Sequence, residues 1–209
     1  MRRAHFVVLG AGVLGRTAAR GALGMGAQVT LLDRSVEMLR ETGRELGPGA
    51  TTMLSTQPNI EKALGFADLV LGAVAVHGQR APLLVRREML SRMKPRSVVM
   101  DLSIDMGGCF ETSRPTNFPD PTYLVDGILH FCVPNLPSAA ARSATLALTN
   151  AQLPLLEAVA AQGPDAAFAS IPELKRGVYL YRGRCVRESL ARLLGLPCEP
   201  LEVPVEGEA

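Results

Sequence analysis

Residues 5–15 read HFVVLGAGVLG, an apolar stretch that runs directly into a glycine-rich turn. This pattern predicts a strand, a tight turn and the start of a helix. A second apolar run at residues 28–32 ends at Asp33, roughly twenty positions after the turn. A strand, G-x-G-x-x-G, a helix and an acidic residue in this order are typical of a dinucleotide-binding βαβ unit.

Each glycine of the turn has its own predicted role. Gly10 permits the turn out of the strand, Gly12 leaves the backbone open to a pyrophosphate, and Gly15 lets the helix pack closely on the strands. The free N–H groups of Val13, Leu14 and Gly15 would then face the anion.

The acidic residue indicates which dinucleotide binds. Asp33 is expected at the tip of the second strand, where its carboxylate accepts hydrogen bonds from ribose hydroxyls and repels a 2′-phosphate. The pattern therefore favours NAD over NADP. Arg34 is a counter-indication, because an arginine there can pair with a phosphate. The alternative is a glycine-rich turn in an unrelated α/β protein.

Composition excludes several other classes of protein. A chain of 209 residues can bury one good core and part of a second. A net charge of +2, 4% aromatic residues and no Trp argue against a nucleic-acid-binding surface. Four cysteines without a CxxC spacing and three histidines argue against a metal site or a disulfide framework. These features predict a cytoplasmic protein.

We expect neither a leader nor a membrane span. The start at Met1 resembles a secretory signal, but its apolar run is broken by glycines and coincides with the dinucleotide pattern. No segment approaches the roughly 20 apolar residues of a spanning helix.

Alternating apolar runs and helical patterns predict an α/β fold, a Rossmann-type doubly wound parallel sheet. Further strands are expected at residues 51–55, 69–76, 97–101 and 127–133, and helices at residues 35–46, 59–66 and 87–93. We therefore predict a dinucleotide-binding Rossmann domain at residues 1–136. Residues 101–121 are expected to form a long loop where such sheets bind ligands.

A C-terminal helical extension is predicted at residues 137–196, followed by a loosely ordered tail at 197–209. A helix over residues 138–161 should bend at Pro154, residues 163–172 read as a linker, and a short helix is expected at residues 188–194. The long helix carries an apolar stripe at Leu146, Leu153, Leu156 and Val159. An exposed stripe of this size predicts a homo-oligomer or a second subunit.

Residues 104–116 read IDMGGCFETSRPT, and this segment resembles the alanine dehydrogenases and the related alpha subunit of proton-translocating transhydrogenase. Shorter matches are GAV at 72–74, MKP at 93–95, DPT at 120–122 and ALTN at 147–150. The resemblance extends over residues 7–159 and is closer to alanine dehydrogenase.

The resemblance implies an NAD site and one catalytic residue. Val13 and Leu14 would lie at the pyrophosphate, Asp33 at the adenosine ribose and Ser55 near the adenine. Asp105 would lie beside the nicotinamide and act in catalysis. The remaining residues of the implied groove are Val74, Ala75, Leu102, Ser103, Ile104, Arg114, Val133, Pro134, Asn135 and Leu136.

Some of these residues also have a simpler structural interpretation. Asp105 could cap a turn beside the following glycines, and Arg114 could be a surface arginine. Asp101, at the end of a buried strand, is expected to accept backbone hydrogen bonds rather than to perform chemistry.

The chain departs from the family pattern at single positions. Met38 replaces a basic residue, Met106 replaces a glutamine, and Pro134 replaces an alanine. The first change is expected to weaken cofactor binding, and the last to stiffen the hinge between domains.

A larger departure concerns the substrate site. Family members have a preceding substrate domain that supplies the arginine and lysine for the keto acid and a histidine for proton exchange. His5, His77 and His130 match none of those positions. Because amine oxidation needs a proton acceptor and a carboxylate clamp, Asp105 alone is insufficient.

Three functions therefore remain open. The first is the NAD-binding part of an alanine-dehydrogenase-like oxidoreductase, converting L-alanine to pyruvate and ammonia, with a partner or upstream domain completing the site. The second is a non-catalytic NAD(H)-binding or sensing module. The third is a dehydrogenase of another small amino or hydroxy acid, with Arg142, Lys175 and Arg176 clamping the anion.

Overall fold

The structure is a computed structural model that describes residues 3–76 and 78–202. The chain divides into two compact units, Met1–Leu136 and Pro137–Ala209. His77 and residues 203–209, which include most of the predicted tail, lie outside the described residues.

The first unit is built on a seven-stranded sheet. Its strands are β1 (His5–Leu9), β2 (Gln28–Asp33), β3 (Ala50–Leu54), β4 (Leu69–Gly72), β5 (Val98–Asp101), β6 (Thr122–Val125) and β7 (Ile128–Phe131). Its α-helices are α1 (Val13–Gly24), α2 (Val36–Leu46) and α3 (Gln57–Phe66). The strand order is β3-β2-β1-β4-β5-β7-β6, and every pair is parallel except β6 with β7.

Buried side chains cover both faces of the sheet. On one face Val7 and Leu9 of β1 pack in a cluster that includes Leu64 of α3. On the other face Val8 packs in a cluster that includes Ala19 of α1. Because successive strand residues point to opposite faces, one apolar strand supplies both cores. The predicted Rossmann-type, doubly wound sheet is confirmed.

The helices begin where capping residues allow. The Ser35 hydroxyl accepts a 3.2 Å hydrogen bond from the Met38 N–H at the start of α2. The Thr56 hydroxyl accepts a 3.4 Å bond from the Asn59 N–H at the start of α3. These caps satisfy N–H groups that lack a partner within the helix.

The local predictions for the first unit are in part wrong. The helix expected at residues 87–93 is present as a 3₁₀ helix, Arg87–Arg92, but strand β4 ends at Gly72 rather than at residue 76. Strand β6 was not predicted, and it makes one edge of the sheet antiparallel. Its partner β7 is reached through a tight turn in which Asp126 and Gly127 both have positive φ.

A 3₁₀ helix, Leu136–Ala140, leads into the second unit and is followed by α4 (Ala141–Ser170), which begins three residues later than the predicted helix. Pro154 lies within helical backbone, and the helical backbone is interrupted at Gly163, where φ is +79°. Since helix resumes after Gly163, the predicted linker at residues 163–172 is wrong.

The rest of this unit consists of α5 (Pro172–Gly177), an antiparallel hairpin and α6 (Glu188–Leu194). The hairpin, which was not predicted, pairs β8 (Leu180–Tyr181) with β9 (Arg184–Cys185). Its turn uses positive φ at Arg182 and Gly183. After α6, the Glu199 N–H donates a 3.0 Å hydrogen bond to the Cys185 carbonyl.

Among the described residues, no helix combines the length and the apolar character needed to cross a membrane.

Candidate dinucleotide-binding site

The predicted site residues follow the carboxyl ends of parallel strands. The register pairs Leu9 of β1 with both Leu32 and Gly72, which places the ends of β1, β2 and β4 at one edge. Gly72 in turn pairs with Asp101, so that β5 ends at the same edge. Because β1 lies between β2 and β4, the chain direction of the crossovers changes there, and ligands bind at such points.

The glycine turn lies against the backbone that follows β4. Gly10 has a φ of +104°, and a side chain there would collide with the Ala73 carbonyl. A side chain at Gly15 would collide with the Gly10 carbonyl. These two glycines therefore permit close packing. A side chain at Gly12 would meet no atom within 4 Å, so this glycine leaves open space at the surface.

The open space lies at the amino terminus of α1. The first hydrogen bond of the helix runs from the Arg16 N–H to the Gly12 carbonyl, at 2.9 Å. Among the described residues, the N–H groups of Val13, Leu14 and Gly15 donate no hydrogen bond. Val13 is 77% exposed, and the first turn has no acidic residue. Unpaired N–H groups and the helix dipole favour an anion at this position.

Asp33 joins the glycine turn to α2. One carboxylate oxygen accepts a 2.8 Å hydrogen bond from the Ala11 N–H, and the other accepts a 2.9 Å bond from the Ser35 N–H. Both bonds fix the side chain at the end of β2. Since each oxygen has two lone pairs, the carboxylate can still accept from ribose hydroxyls. Ser55, after β3, is partly exposed, and its N–H donates to the Asp33 carbonyl at 2.8 Å.

The loops after β4 and β5 are joined by a hydrogen bond. The Val74 N–H donates to the hydroxyl of Ser103 at 3.0 Å. Ser103 and Ile104 are buried, Leu102 is partly buried, and Ala75 is exposed.

Asp105 is exposed on a 3₁₀ turn, Ile104–Met106. Its Oδ1 accepts a 3.0 Å hydrogen bond from the N–H of Asn135, which follows β7. The structure thus brings together two predicted site residues that are thirty positions apart. In the same segment Val133 is buried, whereas Pro134 and Leu136 are half-buried.

Asp101 is fully buried at the end of β5. Its Oδ1 accepts a 3.0 Å hydrogen bond from the Ser103 N–H, and its Oδ2 accepts bonds from the Cys109 N–H at 2.9 Å and the Ser113 hydroxyl at 2.6 Å. The expectation that this carboxylate accepts backbone hydrogen bonds is confirmed. Burial, followed by the negative charge of Asp101, raises the pKa of the Cys109 thiol well above its usual value, which makes this thiol a poor nucleophile.

Arg114 lies on an aromatic ring. Its guanidinium is 4.0 Å from the centre of the Tyr123 ring, and the backbone N–H of Arg114 donates a 2.8 Å hydrogen bond to the Tyr123 hydroxyl. That hydroxyl donates to the Thr112 carbonyl at 2.9 Å. Burial and the contact with Cys132 raise the pKa of Tyr123. The exposed Arg114 side chain therefore packs on the Tyr123 ring.

The described histidines take part in internal hydrogen bonds. His130 is fully buried, and its Nδ1 lies 3.1 Å from the Ile128 carbonyl. Nδ1 must therefore carry the proton, so Nε2 accepts from the Thr112 hydroxyl at 2.8 Å. Burial lowers the pKa of His130. His5 Nε2 lies 2.9 Å from the Thr30 hydroxyl.

The cations of the third hypothesis belong to the second unit. Arg142 is exposed in α4, Lys175 is exposed in α5, and Arg176 is ion-paired with Glu173 at 3.0 Å.

Sequence reasoning missed two residues that hold the candidate site together. Ser113 and Tyr123 connect the loop after β5 to the segment after β7. Tyr123 could have been found, because TYLV at residues 122–125 has the composition of a strand.

The strand order, the glycine turn against β4 and the open amino terminus of α1 define a Rossmann-type dinucleotide-binding domain. The chain belongs to the alanine dehydrogenase and transhydrogenase family, because residues 1–188 match the family described as alanine dehydrogenase/PNT, C-terminal domain. The resemblance inferred from residues 104–116 is therefore confirmed.

Individual relatives agree with this assignment. The alanine dehydrogenase of Halomonas elongata is 46% identical over 193 residues, which are 92% of this chain and 52% of that protein. A solved L-alanine dehydrogenase matches with a TM-score of 0.83 and 38% identity, over 92% of this chain and 53% of the other. The transhydrogenase from Sinorhizobium meliloti has a TM-score of 0.62 and 32% identity, over 70% and 41%. The chain spans about half the length of the curated relatives it matches.

Proposed function

We propose that this chain is the NAD-binding part of an alanine-dehydrogenase-like oxidoreductase, which converts L-alanine to pyruvate and ammonia or performs the reverse reaction. The relatives named alanine dehydrogenase support this reaction. When bound, NAD supplies the hydride acceptor at its nicotinamide ring. We assign residues 1–136 to cofactor binding and residues 137–196 to a helical extension left from the substrate domain.

One observation carries the cofactor assignment. A side chain at Gly12 would meet nothing within 4 Å, although side chains at Gly10 and Gly15 would collide with backbone. Close packing therefore explains two of the glycines but not the third. A ligand that occupies the space beside Gly12 explains why this position has no side chain.

We divide the proposed groove into two halves. The adenosine half contains Asp33 for the ribose, Ser55 near the adenine, and the glycine turn Gly10–Gly15 for the pyrophosphate. The Asp33 carboxylate would repel a 2′-phosphate, so NAD is preferred to NADP. Arg16 forms an ion pair with Glu45 of α2 at 3.2 Å, so its guanidinium points toward α2.

The nicotinamide half consists of three segments, residues 73–75, 102–105 and 132–136. In this half Asp105 is the proposed catalytic residue. Its exposed carboxylate is oriented by the Asn135 N–H, so it can hold a donor of the substrate or of the nicotinamide ribose. The cofactor-binding residues proposed here are Val74, Ala75, Leu102, Ser103, Ile104, Val133, Pro134, Asn135 and Leu136, with Arg114 beside them.

The keto-acid clamp and the proton-exchanging histidine are proposed to come from outside this Rossmann domain. His5 and His130 make internal hydrogen bonds, and His130 is fully buried. Neither is placed to exchange a proton with a substrate beside Asp105. We propose that a homo-oligomer, a separate subunit or a further domain completes the site.

A cytoplasmic location is supported by the cysteines, which form no disulfide: Cys109, Cys132, Cys185 and Cys198.

Gly12→Ala tests the cofactor assignment. Alanine at this position has room in the protein and is expected to raise the Kd for NADH by about tenfold, because its methyl group occupies the pyrophosphate space. Gly21→Ala is the matched control, since Gly21 also has open space but lies further along α1. Titration by NADH fluorescence measures both. Equal affinity of the two variants would contradict the assignment.

A second assay tests the reaction. Alanine-dependent formation of NADH, and NADH consumption with pyruvate and ammonia, are measured for the chain alone and with candidate partners. Activity that is lost in Asp105→Asn supports the proposal. NADH binding without either activity under all conditions favours a non-catalytic NAD(H)-binding module. Activity only on another amino or hydroxy acid favours a different dehydrogenase.

A further inference from the structure

The loop that carries Asp105 is tied at both ends to one buried carboxylate. Asp101 Oδ1 accepts from the Ser103 N–H at 3.0 Å, on the amino-terminal side of the turn. Asp101 Oδ2 accepts from the Cys109 N–H at 2.9 Å and from the Phe110 N–H at 3.4 Å, on the carboxyl-terminal side. The turn that presents Asp105 is therefore held between two anchored segments.

The same carboxylate reaches the segment after β4 through one intermediate residue. Ser103 donates its N–H to Asp101 and accepts from the Val74 N–H through its hydroxyl, at 3.0 Å. Any displacement of Ser103 would also release Val74. Residues 73–75 and 102–105 are thus fixed by one chain of hydrogen bonds.

The segment after β7 is reached through Ser113. The Ser113 hydroxyl donates a 2.6 Å hydrogen bond to Asp101 Oδ2. The same hydroxyl accepts a 3.7 Å hydrogen bond from the Cys132 thiol. Three residues after Cys132, the Asn135 N–H donates to Asp105. The three segments of the nicotinamide half therefore converge on Asp101.

The backbone around Asp101 is shaped to admit its carboxylate. Gly108 has a φ of +79°, and a side chain there would lie 2.8 Å from Asp101 Oδ2. A side chain at Gly72 would collide with Cys109 Sγ and lie 3.0 Å from Asp101 Oδ1. Among the described residues Asp101 makes no ion pair, so its partners are N–H, hydroxyl and thiol donors. An acceptor-only group is required, because the two oxygens face donors alone.

We propose that Asp101 is a positioning residue that sets the geometry of the nicotinamide half and does not itself contact cofactor or substrate. The inference rests on the proposed NAD-binding function. It also predicts a selective effect, because among the described residues no hydrogen bond joins Asp101 to Asp33, Ser55 or the glycine turn. Loss of the carboxylate should therefore disturb one half of the groove and leave the other intact.

Asp101→Asn with two probes tests this selectivity. The amide places a donor against N–H groups, so the loop loses its anchor. The Kd for NADH is expected to rise by about tenfold, while the Kd for ADP, which occupies only the adenosine half, changes by less than about twofold. Asp126→Asn is the control, since Asp126 is an exposed carboxylate that pairs with Arg87 at 3.0 Å.

Each outcome has a defined meaning. Equal losses of NADH and ADP affinity, or no loss of either, would overturn the positioning role of Asp101. Failure of the unsubstituted chain to bind NADH and ADP would contradict the proposed function, and the inference with it. ADP binding by the unsubstituted chain together with weakened NADH binding by the variant supports both.

Ser113→Ala keeps the inference testable if Asp101→Asn does not fold. This variant removes one donor to Asp101 and the acceptor of the Cys132 thiol, without burying a new polar group. It is expected to weaken NADH by about threefold and leave ADP unchanged. Ser91→Ala, whose hydroxyl bonds only its own helix backbone, is the matched control. Parallel changes for NADH and ADP would overturn the inference.

Discussion

The N–H of Asn135 donates a 3.0 Å hydrogen bond to Oδ1 of Asp105, and Asn135 has a φ of +48°. The orientation of the proposed catalytic carboxylate therefore depends on a left-handed residue in a different segment. Among the described residues, Oδ2 of Asp105 accepts no hydrogen bond. The arrangement fixes one oxygen and leaves the other available to a ligand.

Two substitutions at Asn135 separate backbone conformation from side-chain chemistry. Asn135→Val is expected to lower the free energy of unfolding by about 1–2 kcal/mol, because a β-branched residue is strained at positive φ. It should also weaken NADH binding, because the N–H moves away from Asp105. Asn135→Gly retains the N–H and tolerates the conformation, so the free energy of unfolding should remain near its original value and NADH binding should weaken less than in Asn135→Val. Urea unfolding and NADH titration measure them, and equal behaviour of the two variants would contradict the argument.

Asp33→Ala should disturb the glycine turn and the proposed ribose site together. The substitution removes the acceptor for the Ala11 and Ser35 N–H groups as well as the proposed ribose partner. We expect the Kd values for NADH and ADP to rise by about tenfold or more, and the preference for NADH over NADPH to narrow. Glu37→Ala is the control, since Glu37 is an exposed carboxylate in the first turn of α2. Unchanged affinity and unchanged preference in Asp33→Ala would refute the assignment of the adenosine half.

The sequence predicts the first half of the fold well because its signals are local. The glycine turn, Asp33 and the cap at Ser35 each depend on neighbours within a few positions or on one βαβ unit. The structure places them as that motif requires.

The rest of the fold and of the candidate site depends on contacts between distant segments, which the hydrophobic periodicity of the sequence does not reveal. Strand β6 was missed because it pairs only with β7 at an edge of the sheet. A bend in α4 was predicted at Pro154, but the break in helical backbone at Gly163, where positive φ is available to glycine, was not predicted. The role of Asp101 depends on Cys109, Phe110 and Ser113 folding back over it, which no spacing rule predicts.

Acid should destabilise the chain through His130. Burial lowers the pKa of this ring below its usual 6.5, despite opposing effects of the Ile128 carbonyl, Asp101 and Asp126. The unfolded chain therefore takes up a proton at a higher pH than the folded chain does. The neutral His130 ring therefore contributes to the free energy of unfolding above about pH 6.5. This contribution is lost as the pH falls toward the folded-state pKa of His130.

Urea unfolding between pH 7 and pH 5 checks this prediction. His130→Gln cannot titrate and should lose less stability on acidification than the unsubstituted chain. Tyr123→Phe is the control, because it keeps the stacked ring beside His130 and removes only the hydroxyl. If all three proteins lose the same stability on acidification, His130 does not contribute.

We expect the long helix α4 to mediate association with another copy of this chain or with a second subunit. Leu146, Leu148, Leu153 and Leu156 are between 47% and 62% exposed, a concentration of apolar surface that rarely remains in contact with water. Sedimentation at micromolar concentration should show an oligomer, or a complex once a second subunit is added. Leu153→Glu with Leu156→Glu should reduce that association, since a charge in an apolar contact is costly to desolvate. Leu83→Glu, at a leucine that is 54% exposed in the first unit, should not change it. A compact monomer with and without candidate partners would show that the exposed leucines of α4 do not form an interface.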